Sequence, residues 1–415
     1  MGASGYSNEY SNTTEIKRPV SPSPGDDHFL PNPNNFFNSY DKNKLSDVSA
    51  SLENVCYLNN SHQLDFGVLA RQNSIFYHKD ADKIYVYDNI DQSAWVTSLY
   101  FLDKITLLPN LSLKPGFRFN FYTGNNKFYL EPRLSANYKV SNSFSVRFAT
   151  GHYCQYISQV LAQQSTEYNK SFWILADDSI HPAVTSNHFI LGSSVEKGQF
   201  LFDAEAYYKN YNGLQEYIYV SQYLKYGDFG KYFPQNGGAQ PRYYIIGTGK
   251  SYGLDMLLQF KAKRFTSWLS YSLSKSTRQF AKLNNNKELP SPTDQTHQLS
   301  FTNMVTLGKW NFGAIALYTT GRPYYNYEIN SQDLPTIRSF NRLPNFSRLD
   351  LSANYNFTIH NTKLKVGCTI INILNRQNYF DVNTRNFDFD NTKFSETNLI
   401  QSQALSLNFF LHFIL

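Results

Sequence analysis

From Leu405 to the C-terminus every second residue is large and apolar (Leu405, Leu407, Phe409, Leu411, Phe413, Leu415), while Ala404, Ser406 and Asn408 begin the opposite face. A period of two sustained over about ten residues describes a β-strand with one apolar and one wetted face. The pattern recurs upstream. In 133–140, Leu134, Ala136, Tyr138 and Val140 oppose Arg133, Ser135, Asn137 and Lys139; in 346–358, Leu349, Leu351, Ala353, Tyr355 and Phe357 oppose Arg348, Asp350, Ser352, Asn354 and Asn356. A soluble core has no use for that second set.

The alternation predicts about fifteen strands, near 44–58, 63–77, 92–105, 112–123, 128–140, 144–154, 183–195, 199–211, 248–262, 265–278, 295–307, 310–320, 345–358, 363–375 and 401–415. Tight turns at 141–143, 196–198, 308–309 and 360–361 alternate with long polar connections at 155–182, 212–247, 279–294, 321–344 and 376–400. Antiparallel up-and-down strands with short turns at one end and long loops at the other define an all-β transmembrane barrel of the outer-membrane type. Closure is demanded because lipid cannot satisfy a free strand edge. Composition agrees: 32 Tyr and 33 Phe supply interfacial girdles, and charged residues are held to 17%. A soluble sandwich or propeller would have to carry such loops on one edge only.

No stretch approaches the length of an apolar membrane helix, and the N-terminus (MGASGYSNEY) has neither a basic start nor an apolar signal-peptide segment. A net charge of +6, spread thinly, gives no basic block for nucleic acid. Cys56, Cys154 and Cys368 are odd in number and far apart, so neither a disulfide framework nor a zinc site is indicated. Residues 1–43, with Pro19, Pro22, Pro24, Pro31 and Pro33, read as a polar loop or linker, the remnant of an extracellular loop ahead of the barrel strands 44–415. An odd count of strands points to an N-terminally incomplete barrel of 22 strands, the number found in plugged transporters.

Several short motifs stand in order: Glu131-Pro132-Arg133-Leu134; Pro182 with His188-Phe189 and Leu191-Gly192; Glu205-Ala206-Tyr207-Tyr208-Lys209; and Ser251-Tyr252-Gly253-Leu254-Asp255. Then come Asp294-Gln295-Thr296-His297 with Leu299-Ser300, Tyr318-Thr319-Thr320-Gly321-Arg322-Pro323, Arg348-Leu349-Asp350 with Ser352, and Asn372-Ile373-Leu374-Asn375-Arg376. In order and spacing they resemble the C-terminal part of TonB-dependent outer-membrane receptors, in the outer membrane protein beta-barrel family. The resemblance implies a barrel in the outer membrane of a Gram-negative bacterium, surrounded by outer-membrane lipid and inserted by the barrel assembly machinery. It implies uptake of a scarce small ligand (siderophore, haem, glycan or peptide), with the TonB complex acting through a plug that is not recognisable in this chain. The competing reading is a complete smaller barrel serving as an adhesin or surface-structural protein.

No GxSxG or HExxH pattern is present, so no catalytic residues, metal site or cofactor are expected. Gly247-Thr248-Gly249-Lys250-Ser251 imitates a phosphate loop, but the first Gly of that pattern would fall at Tyr244, and an alternating strand follows. His152, His188, His297 and His412 are scattered. Arg133, Arg147 and Arg348, with Lys139 and Asp350, face the lumen either as a ligand path or, more commonly, as charge networks holding neighbouring strands. The stretch 212–247 carries Tyr217, Tyr219, Tyr223, Tyr226, Tyr232, Tyr243 and Tyr244 with Lys225, Lys231 and Arg242. It reads as the ligand-contacting loop, with a merely solvated loop as the equal alternative.

Overall fold

The computed structural model describes residues 2–19, 36–81, 85–162, 170–219, 242–281, 283–329, 335–359, 362–389 and 392–414. In chain order the strands are β1 (Gly2–Pro19), β2 (Phe36–Tyr57), β3 (His62–Ala81), β4 (Tyr85–Leu108), β5 (Leu111–Tyr122), β6 (Lys127–Lys139) and β7 (Phe144–Gln155). There follow β8 (Ile157–Ala162), β9 (Lys170–Leu175), β10 (Val184–Lys197), β11 (Phe200–Tyr219), β12 (Arg242–Lys261), β13 (Phe265–Phe280), β14 (Leu289–Pro290), β15 (His297–Leu307) and β16 (Trp310–Thr319). The last are β17 (Pro323–Ile329), β18 (Pro335–Arg342), β19 (Phe346–Ile359), β20 (Thr362–Ile371), β21 (Tyr379–Phe389), β22 (Thr392–Gln401) and β23 (Ser406–Ile414).

Sixteen of these form one antiparallel meander, in which β1 to β7 pair in succession and are continued by β10, β11, β12, β13, β15, β16, β19, β20 and β23. Among the described residues β1 and β23 pair on one side only, so the sheet is not closed. The outward face is the apolar one: Phe301 is 41% exposed, Leu407 55% and Phe409 77%. Such exposure in a chain of alternating strands is what a lipid-facing wall requires. The short turns sit at one end, as at Gly198, which takes φ +61° with open space where a Cβ would stand.

Three features differ from the sequence reading. Residues 1–43 are not all loop, because β1 pairs with β2 from Gly2 opposite Glu53 to Pro19 opposite Phe36. The prolines gather at and beyond Pro19, where a residue without an N–H ends a ladder, while Tyr6, Tyr10, Thr13, Thr14 and Ile16 favour strand. The meander therefore has sixteen strands where the alternation predicted fifteen. The long connections are also shorter than expected: β11 and β12 continue as a ladder to Tyr219 opposite Arg242, and three loops fold into the hairpins β8–β9, β17–β18 and β21–β22. Polar strand residues broke the apolar alternation there without breaking the backbone pairing.

The facing gives a direct expectation. In the full-length protein in lipid vesicles, Phe301→Arg places a charge among acyl chains and destabilises by about 2–4 kcal/mol if Phe301 lies near the midplane, while lumenal Ser300→Arg changes stability far less. A urea titration of the heat-modifiable folded band measures both; equal losses would invert the assigned faces.

Candidate functional site

The inner face begins as a chain of polar contacts fixed by strand register. Ser98 donates to Asn120 Oδ1 at 2.6 Å, and Asn120 Nδ2 donates to Glu131 Oε1 at 2.9 Å. Glu131, only 5% exposed, also accepts from the Cys154 backbone N–H and from Arg133 at 3.1 Å. A buried carboxylate persists only when so surrounded. Arg133 in turn lies over the Tyr153 ring, 5.5 Å from its centroid.

Arg147 on β7 reaches across β10 to grip Asp203 on β11 with two hydrogen bonds of 2.9 Å each. The strand it crosses carries Gly192 at that level, and a Cβ there would lie 3.1 Å from the guanidinium nitrogen. The glycine leaves the guanidinium room to lie across the strand; a Cβ there would push it aside by a few tenths of an ångström. Arg348 pairs with Asp350 at 2.9 Å, and Asp350 accepts the Asn372 backbone N–H at 2.8 Å. All three sequence-chosen lumenal arginines thus hold carboxylates of the wall, as a charge network would.

The loop end is packed. Hairpin β8–β9 turns inward and lies on the inner faces of β2, β3 and β4. Asn43 Nδ2 donates to the Ser171 carbonyl and Tyr122 Oη to the Ala176 carbonyl, each at 2.9 Å. Phe172 stacks on Tyr77 with centroids 4.6 Å apart and meets Tyr217 edge-on at 5.3 Å. Tyr217 contacts Tyr244 at 5.1 Å, and Tyr244 meets His181 at 4.7 Å. Beside this lies a second fastening: Tyr325 of β17 is buried against Ile245, Phe280, Leu283 and Leu289, and donates to the Pro290 carbonyl at 2.5 Å. Arg278 pairs with buried Glu216, and Arg342 with Asp294 at 2.5 Å.

Of the residues chosen from sequence for ligand contact, Tyr217 is therefore a packed core residue, 5% exposed. Tyr223, Lys225, Tyr226 and Lys231 lie outside the described residues. Arg242 and Tyr243 open β12, with their backbones opposite Tyr219 and Ile218. The sequence reading missed Tyr77, Tyr122, Phe172 and Tyr156, which build the loop-end core. A signal existed: Phe172-Trp173-Ile174-Leu175-Ala176 is a continuous apolar run inside a supposedly polar loop, the mark of a strand covered on both faces. The short motifs also acquire structural roles. Asn372, fully buried at φ +55°, donates to the Arg376 and Gln403 carbonyls and accepts the Arg376 N–H, which shapes the turn after β20. The phosphate-loop imitation lies within β12, with Gly249 and Lys250 paired to both neighbours. Among the described residues no group of three or more His, Cys, Asp or Glu is arranged to hold a metal.

An antiparallel meander with an apolar outer face, an ion-paired inner face and inward-folded loops at one end defines the wall of an outer-membrane barrel. Residues 2–373 match the family described as TonB dependent receptor-like, beta-barrel, and the chain belongs to that family. Among solved structures it is similar to the ferripyoverdine receptor of the outer membrane of Pseudomonas aeruginosa bound to ferripyoverdine, with a TM-score of 0.61 at 15% identity over 99% of this chain and 54% of that one. It is similar also to a mutant of the ferric enterobactin receptor of Pseudomonas aeruginosa (0.56, 13%, 91% and 55%) and to the unliganded ferric citrate transporter (0.56, 13%, 91% and 55%). The chain spans about half the length of these structures. No curated protein matches it.

The turn beneath His181 carries a pH-dependent fastening. Burial pushes the Asp177 carboxyl upward, but N–H donors from His181, Ser179 and Ile180 outweigh it and hold the group below its ordinary value. Its contribution is therefore complete above the unfolded carboxylate pKa of about 3.9 and is lost as pH falls through the lower folded value. Amide exchange at 179–181, corrected for intrinsic rates, should stay protected near pH 5 and lose protection in stronger acid, and Asp177→Ala should remove the protection throughout.

Proposed function

We propose that this chain is the barrel portion of an outer-membrane receptor that takes up a scarce ligand (siderophore, haem, glycan or peptide) with energy delivered by the TonB complex. The observation that carries the reading is the inner wall. It carries charges paired across and along the wall, as Arg147 with Asp203 and Arg348 with Asp350, so the lumen is lined by a polar surface with an apolar outside. Family membership supports it, and so does similarity to solved structures titled as siderophore receptors and transporters.

In this reading Arg147 and Arg348 position the wall. Arg133, already sharing Glu131, and the loop-end residues Tyr223, Lys225, Tyr226, Lys231, Arg242 and Tyr243 contact the ligand, because rings and cations grip anionic chelates and sugars alike. Tyr217 acts through packing and anchors the base of that loop. The partners are outer-membrane lipid, the barrel assembly machinery at insertion, the small ligand, and the TonB complex acting through a plug domain not recognisable in this chain. The protein acts as a transporter and not as an enzyme.

Deleting the full-length gene should abolish uptake of one ligand class in a panel of ferric siderophores, haem, glycans and peptides, and deleting the gene for TonB should abolish the same uptake. Uptake unchanged by the first deletion across the panel, or insensitive to the second, would overturn the reading.

A further inference from the structure

We propose that hairpin β8–β9 is a fixed partition inside the loop-end mouth, sealing the inner face of the wall from β3 to β11 against solute arriving from that end. Tyr77 on β3 and Tyr217 on β11 are joined through the single ring of Phe172, by steps of 4.6 and 5.3 Å, so they stand at most about 10 Å apart. Along the sheet the same two strands are separated by six strand steps, about 29 Å at the usual spacing. The hairpin therefore runs as a chord across a curled arc of wall, and it touches that wall at both ends. β8 meets β11 where Ala162 lies opposite Tyr217, while β9 rests on β2, β3 and β4.

Burial on both faces distinguishes a partition from a lid. On one side Phe172 and Ile174, each 2% exposed, pack with Tyr77, Val160 and Tyr217. On the other, Leu175 and Trp173 pack with Ile75, Ala94 and Tyr122. Swinging the hairpin outward would bring both apolar faces into water and break the bonds from Asn43 near its turn end and from Tyr122 at its base. A lid that opens for each ligand is drawn from weakly packed structure, which this is not. The ligand is thus confined to the space beside the hairpin, and the partition sets the size of what the mouth admits.

The inference rests on the receptor reading only in taking the loop end as the side from which solute comes. Its test reads accessibility, not transport, so its failure leaves the uptake reading standing and the reverse also holds. In the full-length protein, with Cys56, Cys154 and Cys368 replaced by Ala, a single thiol is introduced as Ala94→Cys beneath the hairpin or Ser179→Cys on the exposed turn beside it. Intact cells are treated with a membrane-impermeant charged thiosulfonate reagent. The thiol at position 94 should react at least about a hundredfold more slowly than that at 179, and should gain at least about tenfold when the whole hairpin, 157–175, is replaced by Gly-Ser-Gly-Ser. Trp173→Ser with Leu175→Ser, on the face that covers Ala94, provides a milder loosening should the replacement fail to give the heat-modifiable folded band. Equal labelling at 94 and 179 in the intact hairpin, or no gain at 94 in the folded loosened variant, would overturn the partition.

Discussion

The unpaired backbone group in hydrocarbon is the constraint on which the rest of this structure depends. Each N–H or C=O facing lipid without a partner costs several kcal/mol, so long unbroken ladders between neighbouring strands are favoured there. This is why β1 extends into a stretch rich in polar residues: its side chains give a weak signal, but the edge of β2 needs a ladder, and eighteen consecutive register pairs supply one. The ladders of β3–β4 and β11–β12 likewise outrun the apolar alternation, because the pairing is made by backbone groups and polar side chains do not interrupt it.

Once the ladder fixes the faces, the charges have only the inner side available. There they are held across strands, and the reach of each side chain decides what is tied to what. Arg147 joins β7 to β11 across a strand that Gly192 leaves bare at that height. Glu131 collects donors from β5, β6 and β7, so one carboxylate fastens three strands. Such contacts favour one register over a slip of one residue, which would carry the arginines and carboxylates to the lipid side.

At the loop end the physics changes from hydrogen-bonded wall to packed core. Tyr77, Phe172, Tyr217 and Tyr244 form a run of rings that belongs to four different strands, and the hairpin between β7 and β10 supplies its centre. Fully burying a large apolar side chain is worth about 1.5–3 kcal/mol, enough for a few rings to offset the ordering of a short hairpin. Rigidity at the mouth thus comes from the chain's own aromatic residues.

The sequence by itself determined the architecture and the facing. Alternation in 133–140, 346–358 and 405–415 set which residues meet lipid, and the spacing of turns and loops set an up-and-down antiparallel order, because both depend on local period. It also named the arginines of the inner wall, since a charge in a strand with an apolar face can point only one way. The tertiary structure decided their partners. That Arg147 meets Asp203, 56 residues away, depends on sheet stagger and a glycine between them. It decided as well that Tyr217 is core and not ligand surface, and that Gly2–Pro19 is strand. Those outcomes follow from long-range pairing and from curvature that brings β3 and β11 together, and neither leaves a periodic trace in the amino-acid order.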